Sequence, residues 1–115
     1  MPYLSIQTNS TLSEKQRNEL LTAASKIIAT QLNKPQDYVM ASLIPIPQMT
    51  LGGDYAGTAF LELKSIGVPD EKRNPLCAEL TELVTTRCGI PADRTFIVLE
   101  DVSARFWGHN GKTIG

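Results

Sequence analysis

The 115-residue chain has little of most things that announce a function. It holds one histidine, one tryptophan and two cysteines, and its formal net charge is −1. Neither Cys77 nor Cys88 has a His or Cys spaced for a metal site, so no metal is expected. If both fall in one helix they stand about 16 Å apart at 1.5 Å rise per residue, too far for a bridge, and read as buried structural thiols. The 11 Lys and Arg are dispersed among 12 Asp and Glu. No basic stripe exists to release counterions, which argues against nucleic acid and anionic membrane as partners. No apolar run approaches the roughly 18 residues of a membrane span. The polar stretch Thr8, Asn9, Ser10, Thr11 does not read as a signal peptide, so the expected location is cytoplasmic, with non-classical secretion as the exception. No P-loop, dinucleotide fingerprint or nucleophile elbow appears, and Gly52-Gly53 reads as a turn. No cofactor is expected.

What is present is a repeated pattern. Pro2–Thr8 alternates as a strand. Ser13 followed three residues on by Gln16 is a capping-box start, and Leu20, Leu21, Ala24, Ile27, Ile28 and Leu32 form one helical stripe. Asn33-Lys34-Pro35 ends that helix, since proline cannot continue it, and a strand follows over Tyr38–Ile44. The second half repeats these events. Ala59–Ile66 is a strand with Leu61 and Leu63 facing away from Glu62 and Lys64. A helix starts at Asp70, or at Asn74 with Pro75 in its first position, carries Leu76, Leu80, Leu83 and Val84, and stops at Gly89. Phe96–Asp101 is the return strand. A shift of 56 residues lays Leu20 on Leu76, Ala24 on Leu80, Ile28 on Val84, Pro35 on Pro91 and Asp37 on Asp93.

This pattern predicts one domain over residues 1–115: two βαβ halves, about 1–50 and 57–105, and a C-terminal tail. The fold class is α+β, with both helices on one face of a four-stranded sheet. The other face is then uncovered, although Leu4 and Ile6, Val39 through Ile44, and Phe96 through Leu99 make several strands apolar in both phases. Self-association is the expected cover.

Pro2 is the residue with the sharpest chemistry. Aminopeptidases remove an initiator methionine that precedes a small side chain, and loss of Met1 would leave a secondary amine at the terminus. An α-amine titrates near about 8, and burial or a neighbouring cation lowers it towards a base usable at neutral pH. Lys34 at a helix end and Ser65-Ile66-Gly67 at a strand end are candidate companions. Antiparallel pairing of the first and third strands brings Pro2 to Ile66, and parallel pairing separates them; spacing does not choose.

Taken in order, Met1-Pro2, Thr8-Asn9, Lys34-Pro35 with Tyr38, Met49 before Gly52-Gly53, Ser65-Ile66-Gly67, Pro91-x-Asp93-Arg94, Asp101, Gly108, Asn110 and Thr113 run the length of the chain. In this order the chain resembles the macrophage migration inhibitory factor family of the tautomerase superfamily. The resemblance implies a homotrimer whose sheets line a central channel, with Pro2 as catalytic base in a pocket between subunits. It implies that Lys34 binds the substrate's carboxylate or polarised oxygen and that the Ile66 N–H donates beside it. The remaining walls would be Tyr3, Lys64, Ser65, Phe96, Trp107 and His109.

Three positions depart from the animal members. Phe96 and Val98 stand where those carry a tyrosine and an asparagine, which leaves a more apolar wall. Thr58-Ala59-Phe60-Leu61 replaces a Cys-x-x-Cys, so no thiol–disulfide activity is expected. The leading expectation is a keto–enol tautomerase acting on a small aromatic α-keto acid of the phenylpyruvate kind. The alternative is a cytokine-like interaction protein with a vestigial pocket and a protein receptor that the sequence does not identify. A plain metabolite-binding trimer is the third reading.

Overall fold

Ser13 starts the first helix as its spacing from Gln16 requires. The Gln16 amide donates to Ser13 Oγ at 3.1 Å, and the Ser13 amide donates to Gln16 Oε1 at 2.8 Å. Both donors belong to the set a helix N-terminus otherwise leaves unpaired. Helix α1 runs Glu14–Leu32 and stops at Asn33, which adopts φ 52 and donates to the carbonyls of Ala29 and Thr30. Its buried residues are Leu20, Ala24, Ile28 and Leu32, the centre of the expected stripe, with Leu21 and Ile27 half-buried at its margin.

The computed structural model describes residues 1–115. Strand β1 is Pro2–Thr8, β2 Met40–Pro45, β3 Ala59–Ser65 and β4 Thr95–Asp101; helix α2 is Arg73–Cys88. The sheet order is β2-β1-β3-β4. Strands β1 and β2 are parallel, β3 and β4 are parallel, and the central pair β1/β3 is antiparallel. Each half is therefore a βαβ unit, and the two units meet back to back. A small hairpin, β5 (Gly108–His109) with β6 (Lys112–Thr113), closes the chain. No helix is long and apolar enough to cross a membrane.

The core lies between the sheet and the two helices. Leu4, Ile6, Leu61 and Leu63 from the inner strands meet Leu20, Ile28, Leu76, Leu80 and Val84, all fully buried. Each such side chain contributes about 1.5–3 kcal/mol of burial. Above the core the helices are tied by Gln31 Nε2 donating to Glu79 Oε1 at 2.9 Å and by an Arg87–Glu19 ion pair at 3.6 Å.

Several boundaries differ from expectation. Residues Gln36–Tyr38 form a 3-10 turn, so β2 begins at Met40 rather than Tyr38. Ala92–Arg94 makes the matching turn before β4, and Pro35 and Pro91 precede these turns at equivalent places in the repeat. Strand β3 ends at Ser65, one residue early, and β4 starts one residue early at Thr95. Asp70–Lys72 is a separate 3-10 turn leading into α2, where Pro75 is the third residue and not the first. The cysteines are half-buried rather than buried, and burial pushes the Cys88 thiol above its ordinary value.

The uncovered face also differs. Leu4 and Ile6 both point into the core, so β1 presents Tyr3, Ser5 and Gln7 on the other side. Its apolar groups sit on the outer strands: Met40 and Ile44 on β2, Phe96 and Val98 on β4, each at least 40% exposed. Between them runs a polar centre in which Ser42, Ser5 and Glu62 share one register row.

Candidate active site

Antiparallel pairing of β1 with β3 puts the first residue of one strand beside the last of the other. Pro2 is in register with Ser65, and both are fully buried. The helix end supplies the third group. Because α1 stops at Asn33, the next side chain, Lys34, reaches across to the strand exit and donates from Nζ to the Ile66 carbonyl at 3.4 Å. Met1, Lys34, Tyr38, Ile66 and Ile114 line a cleft of about 320 Å³ at this corner.

Ile66 is held on both sides. The Val102 amide donates to the Ser65 carbonyl at 2.8 Å, and the Gly67 amide donates to Asp101 Oδ1 at 3.0 Å. Gly67 adopts φ +83, a backbone angle that side chains oppose, which accounts for glycine after Ser65-Ile66. The Met1 α-amine, one residue ahead of β1, is pushed below its ordinary value of 8.0, first by burial and then by the Lys34 ammonium. That is the physical condition for a neutral amine beside a cation. Ser65 Oγ is buried without a hydrogen-bond partner.

One chain does not gather all the expected residues. Pro2, Lys34, Ser65 and Ile66 come together. Tyr3 and Lys64 lie nearby but on the uncovered sheet face, where Tyr3 Oη bonds Ser42 Oγ at 2.7 Å and Lys64 pairs with Glu100 at 3.9 Å. Phe96 is on that same face, five residues along β4 from the Asp101 level, roughly 16 Å at strand rise. Trp107 is half-buried at the start of the tail and His109 is exposed in β5; neither lines the cleft. Sequence reasoning omitted Tyr38 and Ile114 from the site. Tyr38 carried a signal, an aromatic just past the helix stop. Ile114 carried none, since the tail is folded back by Ile114 N–H to Trp107 O at 2.9 Å and Gly115 N–H to Ala104 O at 3.0 Å.

A larger groove of about 530 Å³ lies at the far end of the sheet, between Thr8–Leu12 and Leu43–Pro47. Its polar groups are already committed to structure. Thr8 Oγ1 donates to Thr58 O, Asn9 Nδ2 to Met49 O, Tyr55 O and Ala56 O, and Arg17 Nη1 to Leu12 O. No three His, Cys, Asp or Glu side chains converge anywhere.

The family model described as macrophage migration inhibitory factor (MIF) matches residues 1–115. The chain belongs to the MIF family. A MIF homolog from Trichuris trichiura is 35% identical over 114 residues, covering 98% of this chain and 99% of the relative. One from Brugia malayi is 34% identical over 116 residues and covers both chains completely. Among solved structures, the MIF homologue of Prochlorococcus marinus superposes with a TM-score of 0.92 at 37% identity, covering 98% of this chain and 99% of that one. MIF family membership carries the tautomerase-superfamily fold, two helices on a four-stranded mixed sheet, and this chain places Pro2 at the corner of that sheet.

Proposed function

We propose that this MIF-family chain is a keto–enol tautomerase for phenylpyruvate-like α-keto acids, with Pro2 as general base once Met1 is removed. The observation that carries the reading is the corner where Pro2 and Ser65 face each other next to the Lys34–Ile66 pair, in a cleft that lowers the α-amine. With Met1 attached, the Pro2 nitrogen is a tertiary amide and has no basic lone pair. Removal makes it the terminal amine, at a position that is fully buried while Met1 is in place.

In the ketonisation direction the neutral Pro2 nitrogen takes the enol hydroxyl proton. The C–O bond becomes C=O, the C=C electron pair takes a proton at C3, and the net change is a 1,3 proton shift. Lys34 holds the carboxylate or the oxygen where charge develops, and the Ile66 N–H supports it. Ile66 lines the cleft, and Ser65 is buried beside Pro2. Such a reaction needs no redox partner. The chain supports a homotrimer with sheets around a central channel, because outer-strand Met40, Ile44, Phe96 and Val98 remain exposed. In that assembly Phe96, Trp107 and His109 of a neighbouring copy would complete a wall that one chain leaves open, with Tyr3 and Lys64 at its edge.

Intact mass of the purified protein reports Met1 removal, and ultraviolet decay of phenylpyruvate enol reports turnover. The reading expects the processed chain to be active and Pro2→Ala to lose about 10²–10⁴-fold, the range general-base catalysis supplies. Full activity in Pro2→Ala sinks it.

A second reading, a cytokine-like protein acting on a receptor, has one observation in its favour. Tyr55 and Phe106 are 68% and 77% exposed and lie outside the cleft lining. Absent turnover together with tight capture of one protein partner, lost in a Phe106→Ala, Tyr55→Ala double variant, would favour it.

A further inference from the structure

The Lys34–Ile66 pair depends on where a single carbonyl points. At 3.4 Å the bond from Lys34 Nζ is long. Lysine is a point charge on a flexible stem, so its own geometry does not fix where Nζ sits and the Ile66 carbonyl does. Ile66 lies just past the end of β3 and is outside the strand ladder. Its placement therefore rests on its neighbours, Ser65 and Gly67.

Both neighbours are tied to the end of β4. Ser65 is in register with Asp101, and its carbonyl accepts from the Val102 amide. Gly67 donates its amide to Asp101 Oδ1 at 3.0 Å. The Asp101 carboxylate makes no ion pair within 4.0 Å, although Lys64 and Glu100 pair one residue earlier. Its side chain is exposed, so substitution there does not open the core. A carboxylate bonded to a backbone amide is a strong local tie, and here it fixes a residue at positive φ.

We propose that Asp101 is the positioning residue of this site: through the Gly67 amide it sets the Ile66 peptide, and through Ile66 it holds Lys34 against the terminal amine. It touches neither substrate nor reacting atoms. What it requires is an acceptor oxygen at the Asp101 position, not a negative charge. The inference rests on the tautomerase reading for its kinetic consequence but not for its structural one.

The test uses the processed full chain in three forms: wild type, Asp101→Ala and Asp101→Asn. Asparagine keeps Oδ1 as acceptor and removes the charge. Phenylpyruvate-enol kinetics, hydrogen exchange at the Gly67 amide and NMR titration of the terminal amine are measured together. In the chain that retains Met1, Lys34 is the charged group that lowers the α-amine; the processed terminus lies one residue away, in the same corner. Asp101→Ala should raise KM about tenfold with a smaller change in kcat, the size of one lost hydrogen bond. Its Gly67 amide should exchange faster, and the amine should titrate higher as Lys34 moves away. Asp101→Asn should restore KM and exchange to within about twofold of wild type. An Asp101→Ala protein with wild-type KM and exchange overturns the proposal, as does an Asp101→Asn protein as impaired as the alanine form. If wild type shows no turnover, the tautomerase reading fails on its own. Exchange and the amine titration then decide Asp101 alone, and unchanged values in Asp101→Ala overturn it.

Discussion

Pro2 and Ser65 face each other across the two inner strands because β1 and β3 run antiparallel, and this pairing assembles the corner. A parallel arrangement would have put Ile66 at the level of Thr8, the full length of a strand from the terminus. The site is thus a product of strand direction first and side-chain identity second.

The terminal amine should leave a mark on stability as a function of pH. In the chain that retains Met1 its pKa is lowered on folding below the ordinary 8.0, by burial first and Lys34 second. Between the lowered value and 8.0 the unfolded chain binds more protons, so stability should rise with pH across that window. Above 8.0 both states are neutral and the contribution is flat. Urea titrations of wild type and Lys34→Gln at matched pH isolate the effect, whose slope is small because the terminus is only partly buried. An equal pH slope in the two proteins would remove Lys34 as a cause.

Lys34→Gln should also shift the activity profile. The acid limb of kcat/KM reports the free amine's pKa. Loss of the cation raises that pKa, so the limb should move to higher pH, with KM rising as the anion's partner disappears. A fall in activity with an unmoved limb would mean that Lys34 binds substrate without tuning the base.

Arg94, a largely buried arginine, should contribute strongly to stability. Its guanidinium donates to the carbonyls of Gly57, Asp54 and Ala56 and to Thr58 Oγ1, and it pairs with Asp54 at 3.7 Å. Asn9 grips the same loop through Ala56 O and the Thr58 amide. Arg94→Ala should cost about 2–3 kcal/mol and Arg94→Lys should recover little, since lysine cannot span the fork. A double-mutant cycle with Asn9→Ala, read by urea unfolding, should show coupling of about 0.5 kcal/mol or more.

The uncovered sheet face sets a test of assembly. Ile44→Asp on β2 or Val98→Asp on β4 places a charge where the proposed trimer buries apolar surface. Sedimentation velocity should find a trimer for wild type and mostly monomer for the variants, with far-ultraviolet circular dichroism unchanged. Trimers from both variants would assign the interface elsewhere.

Leu63→Ala serves as the core reference. The side chain is fully buried under both helices, so truncation should cost about 2–5 kcal/mol by thermal or urea unfolding. A cost below about 1 kcal/mol would mean that the layer relaxes more than a close-packed core allows.

Much of the fold was legible because hydrophobic period and stop signals agree. Ser13 with Gln16, the Leu20–Leu32 stripe and its echo at Leu76–Val84 placed both helices. The 3-10 turns were missed although Pro35-x-Asp37 and Pro91-x-Asp93 repeat in the sequence, because a three-residue turn has no hydrophobic period to read. Leu4 and Ile6 were misassigned to an apolar second face, when their spacing of two puts both on one side. At the site, Pro2, Lys34 and Ser65-Ile66-Gly67 were legible as separate pieces. Their convergence was not, since strand direction is decided by the long Ile46–Thr58 connection that Asn9 and Arg94 clamp. Ile114 was invisible for a similar reason: only the tail's fold-back brings it to the cleft.

Strand β1 is an inner strand, gripped by β3 from its first residue, Pro2, and by β2 from Tyr3 onward. An exopeptidase needs a loose, extended end to thread into its own active site. The folded chain offers none, because Pro2 is buried and Met1 rests in the cleft. Trimming of Met1 therefore has a deadline: it must happen while the first residues are still free at the ribosome, before the sheet closes around them. On the proposed chemistry, a chain that misses that moment keeps its Pro2 nitrogen as an amide, so the active fraction of a preparation would record how it was synthesised.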